Sequence, residues 1–186
     1  MGEARKRRDT LKTRLLEEID RLSMKPSADE SALVAELDAH DLIRVYRQPR
    51  ARLEKARMRP RMSHDNARWF EQNDPDRKAK AVTGWRLSPG GLYILHSVVE
   101  TGGVLTCVTP TGLDGDSDWF DFILDRDIEV SLAGNRYRFV RKGIELGYGA
   151  RQNPENVIAA MAGFKRELEA GANPHAILRE IALQFS

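Results

Sequence analysis

The sequence predicts an α+β protein in which a central, mostly antiparallel sheet has N- and C-terminal helices packed on it. Apolar residues recur at helical spacing near both ends of the chain, and short β-prone runs separated by turn residues fill its middle. Hydrophobic residues make up 41% of the 186, which is enough to build a core. We expect a basic helical segment over 1–61, an α+β core over 62–150, and helices over 151–186 that complete the same domain.

The first segment contains three helical patterns. Residues 9–23 carry an apolar stripe, which is formed by Leu11, Leu15, Ile19 and Leu22. Ser27 and Glu30 have the spacing of a capping box and predict a second helix from Ala28. Residues 41–47 are compatible with an extension of that helix or with a strand. Two prolines flank a third, highly charged helical candidate over 50–59, which we place on the surface.

Strands dominate the second segment. Ser63 is a plausible N-cap for a helix that ends near Gln72, with Trp69 and Phe70 turned inward. Strand patterns follow over 79–87, 92–100, 104–109, 119–124, 128–132 and 136–140, the last two as a hairpin about residues 133–135. In the third segment, Asn153 and Pro154 begin a helix that ends near Gly171, and Pro174 begins another.

Composition excludes several classes of protein. The single cysteine, Cys107, rules out an intramolecular disulfide framework and a cysteine-rich zinc module. No apolar run is long enough to span a membrane, and no apolar region follows the basic start as in a secretory signal. We therefore expect a cytoplasmic protein without a membrane partner.

The net charge of +2 conceals a basic stretch from Arg44 to Arg61. This stretch contains a single acidic residue, Glu54, and eight basic ones: Arg44, Arg47, Arg50, Arg52, Lys55, Arg57, Arg59 and Arg61. Arginine presents a planar fork that suits phosphate, so the stretch predicts binding to nucleic acid or a nucleoprotein. The alternative is a solvated surface that balances acidic side chains of the same chain.

One set of motifs carries possible hydrolytic chemistry: Ser63-His64-x-Asn66, Gly84-Trp85, a His-Ser-Val-Val strand from His96, and Thr109-Pro110. Over residues 62–125 these motifs resemble a group of uncharacterised bacterial proteins with Cys-His-x-Asn, His-Ser-Val-Val and Thr-Pro segments. The resemblance implies a papain- or transglutaminase-like hydrolase, with a nucleophile at a helix start and His96 as base. Here Ser63 replaces the thiol and Cys107 replaces the orienting aspartate, so an inactive descendant is the alternative.

A second arrangement concerns His96 and Cys107 alone. If Thr101 and Gly102 form the hairpin turn, His96 lies directly opposite Cys107, close enough for a thiol–imidazole contact. A one-residue slip would put the two side chains on opposite faces. The alternative is that Cys107 is a small buried hydrophobic residue and His96 its partner.

An acidic loop supplies the candidate metal site. Asp114, Asp116 and Asp118 alternate in a loop that could hold Mg²⁺, although an EF-hand is excluded because its positions 6 and 12 are Trp119 and Asp125. The alternative is a solvated acidic loop. No P-loop or dinucleotide-binding glycine motif occurs in the sequence.

The basic helical opening around Arg7–Lys12 and the α+β centre also resemble plasmid fertility-inhibition proteins of the Osa and FiwA kind. That resemblance implies a ParB/sulfiredoxin-like fold, ATP as a cofactor, hydrolysis of nucleotide or DNA, and inhibition of conjugative transfer. A third possibility is a pure interaction module that binds a protein partner through its terminal helices.

Overall fold

A computed structural model of the protein describes residues 2–111, 117–134, 136–147 and 149–185. The fold is α+β, as predicted. The helices are α1 (Glu3–Leu22), α2 (Ala28–Asp38), α3 (Arg50–Lys55), α4 (Ser63–Gln72), α5 (Pro154–Glu169) and α6 (Pro174–Phe185). The strands are β1 (Ile43–Arg47), β2 (Lys80–Leu87), β3 (Leu92–Thr101), β4 (Val104–Cys107), β5 (Trp119–Leu124), β6 (Ile128–Ala133), β7 (Arg136–Arg141), β8 (Ile144–Glu145) and β9 (Gly149–Arg151).

The chain forms two compact units, each built from separate pieces of sequence. The helical unit comprises Met1–Ala35, Ser88–Leu92 and Arg151–Ser186. The sheet unit comprises Glu36–Leu87 and Tyr93–Ala150.

The helical unit buries the apolar stripes predicted for both ends of the chain. Its core contains Leu15 and Ile19 of α1, with Val157, Met161, Phe164 and Leu168 of α5 and Ile177 and Phe185 of α6. The Asn153 side chain accepts a hydrogen bond from the Asn156 backbone N–H, which confirms the predicted cap of α5.

A buried arginine ties the end of α1 to the start of α2 within this unit. Arg151 is 6% exposed, and its guanidinium donates to both carboxylate oxygens of Glu30 at 2.8 and 2.7 Å. It also donates to the backbone carbonyl of Leu22 at 2.7 Å. These bonds lower the pKa of Glu30, because they stabilise its ionised form.

The sheet unit contains a five-stranded closed sheet with the order β2–β5–β1–β4–β3 and a final pairing of β3 with β2. Among the described pairings of these five strands, β1 with β4 is parallel and the others are antiparallel. The segment 41–47, which the sequence left open between helix and strand, therefore contains β1. Gly84 of β2 is required here, since a Cβ atom would collide with the carbonyl oxygen of Ile123 and the ring of Phe122.

The closed sheet has an apolar interior and a second core on its outer face. The interior contains Val45, Val98, Cys107, Phe120 and Phe122. Outside, Leu53, Met58 and Ala67 from the α3–α4 region pack on Ala79, Val99 and Val108.

Helix α4 corrects one prediction. Trp69 is 46% exposed and does not turn inward, whereas Phe70 packs against the outer core. The buried residues Ser63, Asn66 and Ala67 are spaced so that Phe70 continues their face and Trp69 does not.

The β3–β4 hairpin corrects a second prediction. Thr101 pairs with Val104, so the turn is Gly102–Gly103 and not Thr101–Gly102. Both glycines have positive φ angles, 58° and 82°, which suits a two-residue turn that needs this conformation at both positions. The predicted register is therefore wrong by two residues, and His96 is not directly opposite Cys107.

A smaller sheet with the order β6–β7–β8 completes the unit. The hairpin predicted about residues 133–135 is confirmed by the pairing of Ala133 with Arg136, although Asn135 lies outside the described residues. At its base, Arg141 donates to Asp125 at 2.7 Å, and Asp125 also accepts from the Trp85 indole at 2.9 Å.

Candidate functional site

The first candidate site is the set of basic side chains that the structure exposes between residues 44 and 61, which we call the arginine surface. Of the eight predicted residues, Arg47 points into the closed sheet. The other seven are exposed: Arg44, Arg50, Arg52, Lys55, Arg57, Arg59 and Arg61. Glu54, the one acidic residue among them, is 2.8 Å from the Arg50 guanidinium. The surface therefore keeps a strong positive charge.

The backbone of the arginine surface is held by buried anchors. Leu53 and Met58 are 2% and 8% exposed and fasten α3 and the loop after it to the outer core. Arg57, two residues beyond the last residue of α3, has a φ angle of 57°. Its N–H donates to the Glu54 carbonyl and that of Met58 donates to the Leu53 carbonyl, the pattern of a Schellman cap. Arginine thus occupies a position that favours glycine.

Asn66 fastens the remainder of the loop. Its side-chain oxygen accepts from the Arg59 N–H at 3.2 Å, and its amide donates to the Arg59 carbonyl at 2.8 Å. The same amide is 3.3 Å from the Thr109 hydroxyl on the segment after β4. Asn66 was visible in the sequence as part of the Ser-His-x-Asn motif, but its role in positioning the arginine surface was not.

An exposed aromatic pair lies at the start of the arginine surface. Tyr46 of β1 is opposite Trp119 of β5, and both rings are exposed on the outer face of the closed sheet. The Arg44 guanidinium lies 3.7 Å from the centre of the Trp119 ring. No local pattern in the sequence predicts this pair, since Trp119 is 73 residues away from Tyr46 along the chain.

The second candidate site is a buried cluster inside the closed sheet. His96 Nε2 lies 3.4 Å from Cys107 Sγ, so the predicted contact exists although the predicted register does not. A slip of two residues preserves the face of each side chain, and His96 reaches Cys107 as a diagonal neighbour. Arg47 also reaches this cluster, with Nη1 at 3.6 Å from Cys107 Sγ and 3.3 Å from the Thr109 carbonyl.

The prediction that Ser63 caps α4 is wrong: Ser63 is the first residue of the helix, its N-cap is Met62, and the Ser63 side chain contacts β3 instead. Its hydroxyl is 3.4 Å from the backbone nitrogen of Ser97, which donates to it. The neighbouring His64 has Nδ1 2.7 Å from the Ser97 hydroxyl, which is also 2.7 Å from that of Thr83. Since consecutive strand residues point to opposite faces, the Ser97 hydroxyl and the His96 ring lie on different sides of the sheet.

Burial controls the protonation of these groups. Desolvation lowers the pKa of His64 to about 4 and that of His96 well below its usual range, with the Arg86 charge as a further cause for His96. Burial raises the pKa of the Cys107 thiol, which Arg47 opposes in part. At neutral pH both imidazoles are therefore neutral, and Cys107 is a thiol that is 0% exposed.

The predicted metal site lies mostly outside the described residues. This applies to Asp114 and Asp116, whereas Asp118 is described and exposed. Within the described residues, no group of three or more histidine, cysteine, aspartate or glutamate side chains could hold a metal ion. Mg²⁺ at the acidic loop remains a prediction, as does ATP.

The described helices include none with the length and apolar character needed to cross a membrane. Comparison of the chain with protein-family models, with curated proteins and with solved structures finds no match.

Proposed function

We propose that this protein binds nucleic acid, alone or within a nucleoprotein, through the arginine surface. The observation that carries the proposal is the exposure of seven basic side chains within 18 residues whose single acidic member, Glu54, is already paired with Arg50. Basic side chains on a flexible segment would lose both side-chain and backbone conformational entropy on binding. Here Leu53, Met58 and Asn66 hold the backbone in place before a ligand arrives.

We expect electrostatic attraction between these cations and phosphate groups to provide most of the binding free energy. Among the described residues, Arg52, Lys55, Arg57, Arg59 and Arg61 make no ion pair with a carboxylate. If all five neutralise phosphates, the logarithm of the binding constant should fall with the logarithm of salt concentration with a slope of about −4 to −5 on duplex DNA. Such binding would be independent of sequence, since contacts to phosphate carry no base information.

Fluorescence anisotropy with labelled oligonucleotides over a salt series tests this proposal. Reversal of Arg50, Arg52 and Arg57 to glutamate should weaken binding at least tenfold at low salt and make the salt slope shallower by about 2 to 3. A matched control reverses three exposed basic residues elsewhere in the sheet unit, Arg77, Lys78 and Lys80, with the same change in net charge.

The two variants separate a site from a general charge effect. Near-normal binding by the control, with loss in the arginine-surface variant, supports the proposal. Equal losses, or absence of salt-dependent binding by the unaltered protein, overturn it. A parallel gel assay with Mg²⁺ or with EDTA tests the DNA hydrolysis that the resemblance to fertility-inhibition proteins implies.

A second candidate function, hydrolysis by Ser63, His96 and Cys107, is favoured by the 3.4 Å contact between His96 and Cys107. Burial of the thiol and the lowered pKa of His96 work against it, because the base of such an enzyme must accept a proton from its nucleophile and a buried imidazole does so weakly. His96→Ala should abolish ester hydrolysis without unfolding the protein if this function exists. Absence of hydrolysis in the unaltered protein would contradict it.

A further inference from the structure

The outer face of strands β1 and β5 presents a small aromatic platform, formed by Tyr46 and Trp119. The tyrosine is 58% exposed and the tryptophan is 37% exposed. The Arg47 N–H donates to the Asp118 carbonyl, which makes those two residues a hydrogen-bonded pair. Because hydrogen-bonded and non-bonded pairs alternate in antiparallel strands, Tyr46 and Trp119 form a non-bonded pair, whose side chains lie closest together.

The platform is rigidly supported from behind. The residues that alternate with it, Val45 and Phe120, point into the closed sheet and are 0% and 7% exposed. The Arg44 guanidinium covers part of the Trp119 ring at 3.7 Å and lies 3.9 Å from the Asp121 carboxylate. Large aromatic side chains on a fixed strand lose little conformational entropy when they bind a flat ligand.

The platform is continuous with the arginine surface. The chain runs from Tyr46 at the end of β1 to Arg50 at the start of α3, a separation of four residues and at most about 14 Å. A ligand that stacks on the platform therefore lies within reach of the cations that follow it. Flat uncharged groups joined by anionic groups at short intervals are the chemistry of a nucleic-acid strand.

We propose that Tyr46 and Trp119 stack unpaired bases, so that the protein prefers single-stranded nucleic acid to duplex. This inference rests on the proposed function, since the arginine surface would hold the phosphates of the same strand. A single strand can turn its bases onto a protein surface, whereas a duplex keeps them stacked inside. Exposed aromatic side chains could also bind a protein partner. The basic charge beside the platform favours a nucleic-acid strand instead.

Acidic neighbours modify the expected affinity. Asp121 competes with a phosphate for Arg44, and Asp118 is exposed next to Trp119. We therefore expect Asp121→Asn to tighten single-strand binding severalfold.

The decisive experiment compares a single-stranded 12-mer with a hairpin duplex of the same bases by anisotropy at one low salt concentration. Trp119→Ala and Tyr46→Ala should each weaken binding to the single strand by about 5- to 100-fold and change binding to the duplex less than twofold. The Trp119→Phe variant should retain most of the single-strand affinity, because phenylalanine can still stack on a base. Trp69→Ala is the matched control, because Trp69 is 46% exposed and belongs to α4, not to β1 or β5.

A second measurement does not depend on any alanine variant folding. In a Trp69→Phe protein, the remaining tryptophans are Trp119 and Trp85, of which Trp85 is 1% exposed. The single strand should quench the Trp119 fluorescence, and an abasic strand of equal length and charge should not.

The outcomes distinguish the two proposals. Salt-dependent binding that is equal for single strand, abasic strand and duplex, with no effect of Trp119→Ala, overturns the platform and leaves the proposed function intact. Absence of salt-dependent binding to every probe overturns the proposed function and this inference with it. Fluorescence quenching by the intact single strand alone supports both.

Discussion

Replacement of Arg57 by glycine should stabilise the protein even though it removes a charged side chain. Arg57 has a φ angle of 57° at the end of α3, where a side chain with a Cβ atom is strained. Relief of this strain contributes about 1–2 kcal/mol. The greater flexibility of glycine in the unfolded chain offsets about 0.4–1 kcal/mol of that gain. The net expectation is a gain of about 1 kcal/mol in the free energy of unfolding.

The matched control is Arg52→Gly in the middle of the same helix. Arg52 is also exposed and basic, but its backbone is helical, so glycine should cost about 0.5–1 kcal/mol. Thermal unfolding followed by circular dichroism should show Arg57→Gly melting about 2–4 °C above the unaltered protein and Arg52→Gly below it. The two variants lose the same charge from the arginine surface, so DNA binding should weaken equally in both.

Opposite signs for the two substitutions would establish the left-handed conformation at Arg57. If Arg57→Gly destabilises the protein as much as Arg52→Gly does, the strain assigned to Arg57 is absent and the reasoning fails. A gain in stability together with a loss of DNA affinity would show that Arg57 contributes to DNA binding and lowers the stability of the folded protein.

Three further predictions concern buried groups. The unfolded chain binds a proton at His64 near pH 6.5 that the folded chain takes up only at about pH 4, so His64 alone should lower stability by up to about 3 kcal/mol as pH drops through this window, and the lowered pKa of His96 adds to the loss. An NMR titration of the His64 ring with a midpoint above 6 would contradict this. Arg151→Ala should lower the free energy of unfolding by about 3–5 kcal/mol in urea, because Glu30 and the Leu22 carbonyl lose their partner; a loss below 1 kcal/mol would refute it. Cys107 should react with a thiol reagent at least about 100-fold more slowly in the native protein than in denaturant at pH 7, and rapid native labelling would instead favour the hydrolase.

Much of the fold follows from local patterns. The stripe of α1, the cap of α5 and the hairpin after Ala133 depend on residues within a few positions of one another, and each was predictable. The β3–β4 hairpin shows the limit of this reasoning. Thr101–Gly102 and Gly102–Gly103 are both plausible turns by composition, and the choice depends on which residues can adopt positive φ angles at both turn positions.

The candidate sites depend on strand order, which local patterns do not determine. Tyr46 faces Trp119 because β5 pairs with β1, and no spacing in the sequence indicates that pairing. For the same reason the hydroxyl near His64 is that of Ser97, 33 residues away, although Ser63 is its neighbour in sequence. The basic stretch was predictable because charge along one segment needs no tertiary information, and the inward turn of Arg47 was not.

The division of the chain into interleaved units has a consequence for folding during synthesis. On the ribosome, α1 emerges more than a hundred residues before α5, whose side chains cover Leu15 and Ile19. At a synthesis rate of about 5–20 residues per second, the apolar stripe of α1 stays uncovered for on the order of ten seconds before α5 has been made. The sheet unit, whose pieces are made in between, can complete its core first. We therefore expect nascent chains arrested once residue 150 has left the exit tunnel to protect the closed sheet from protease while α1 remains open to cleavage and to chaperones.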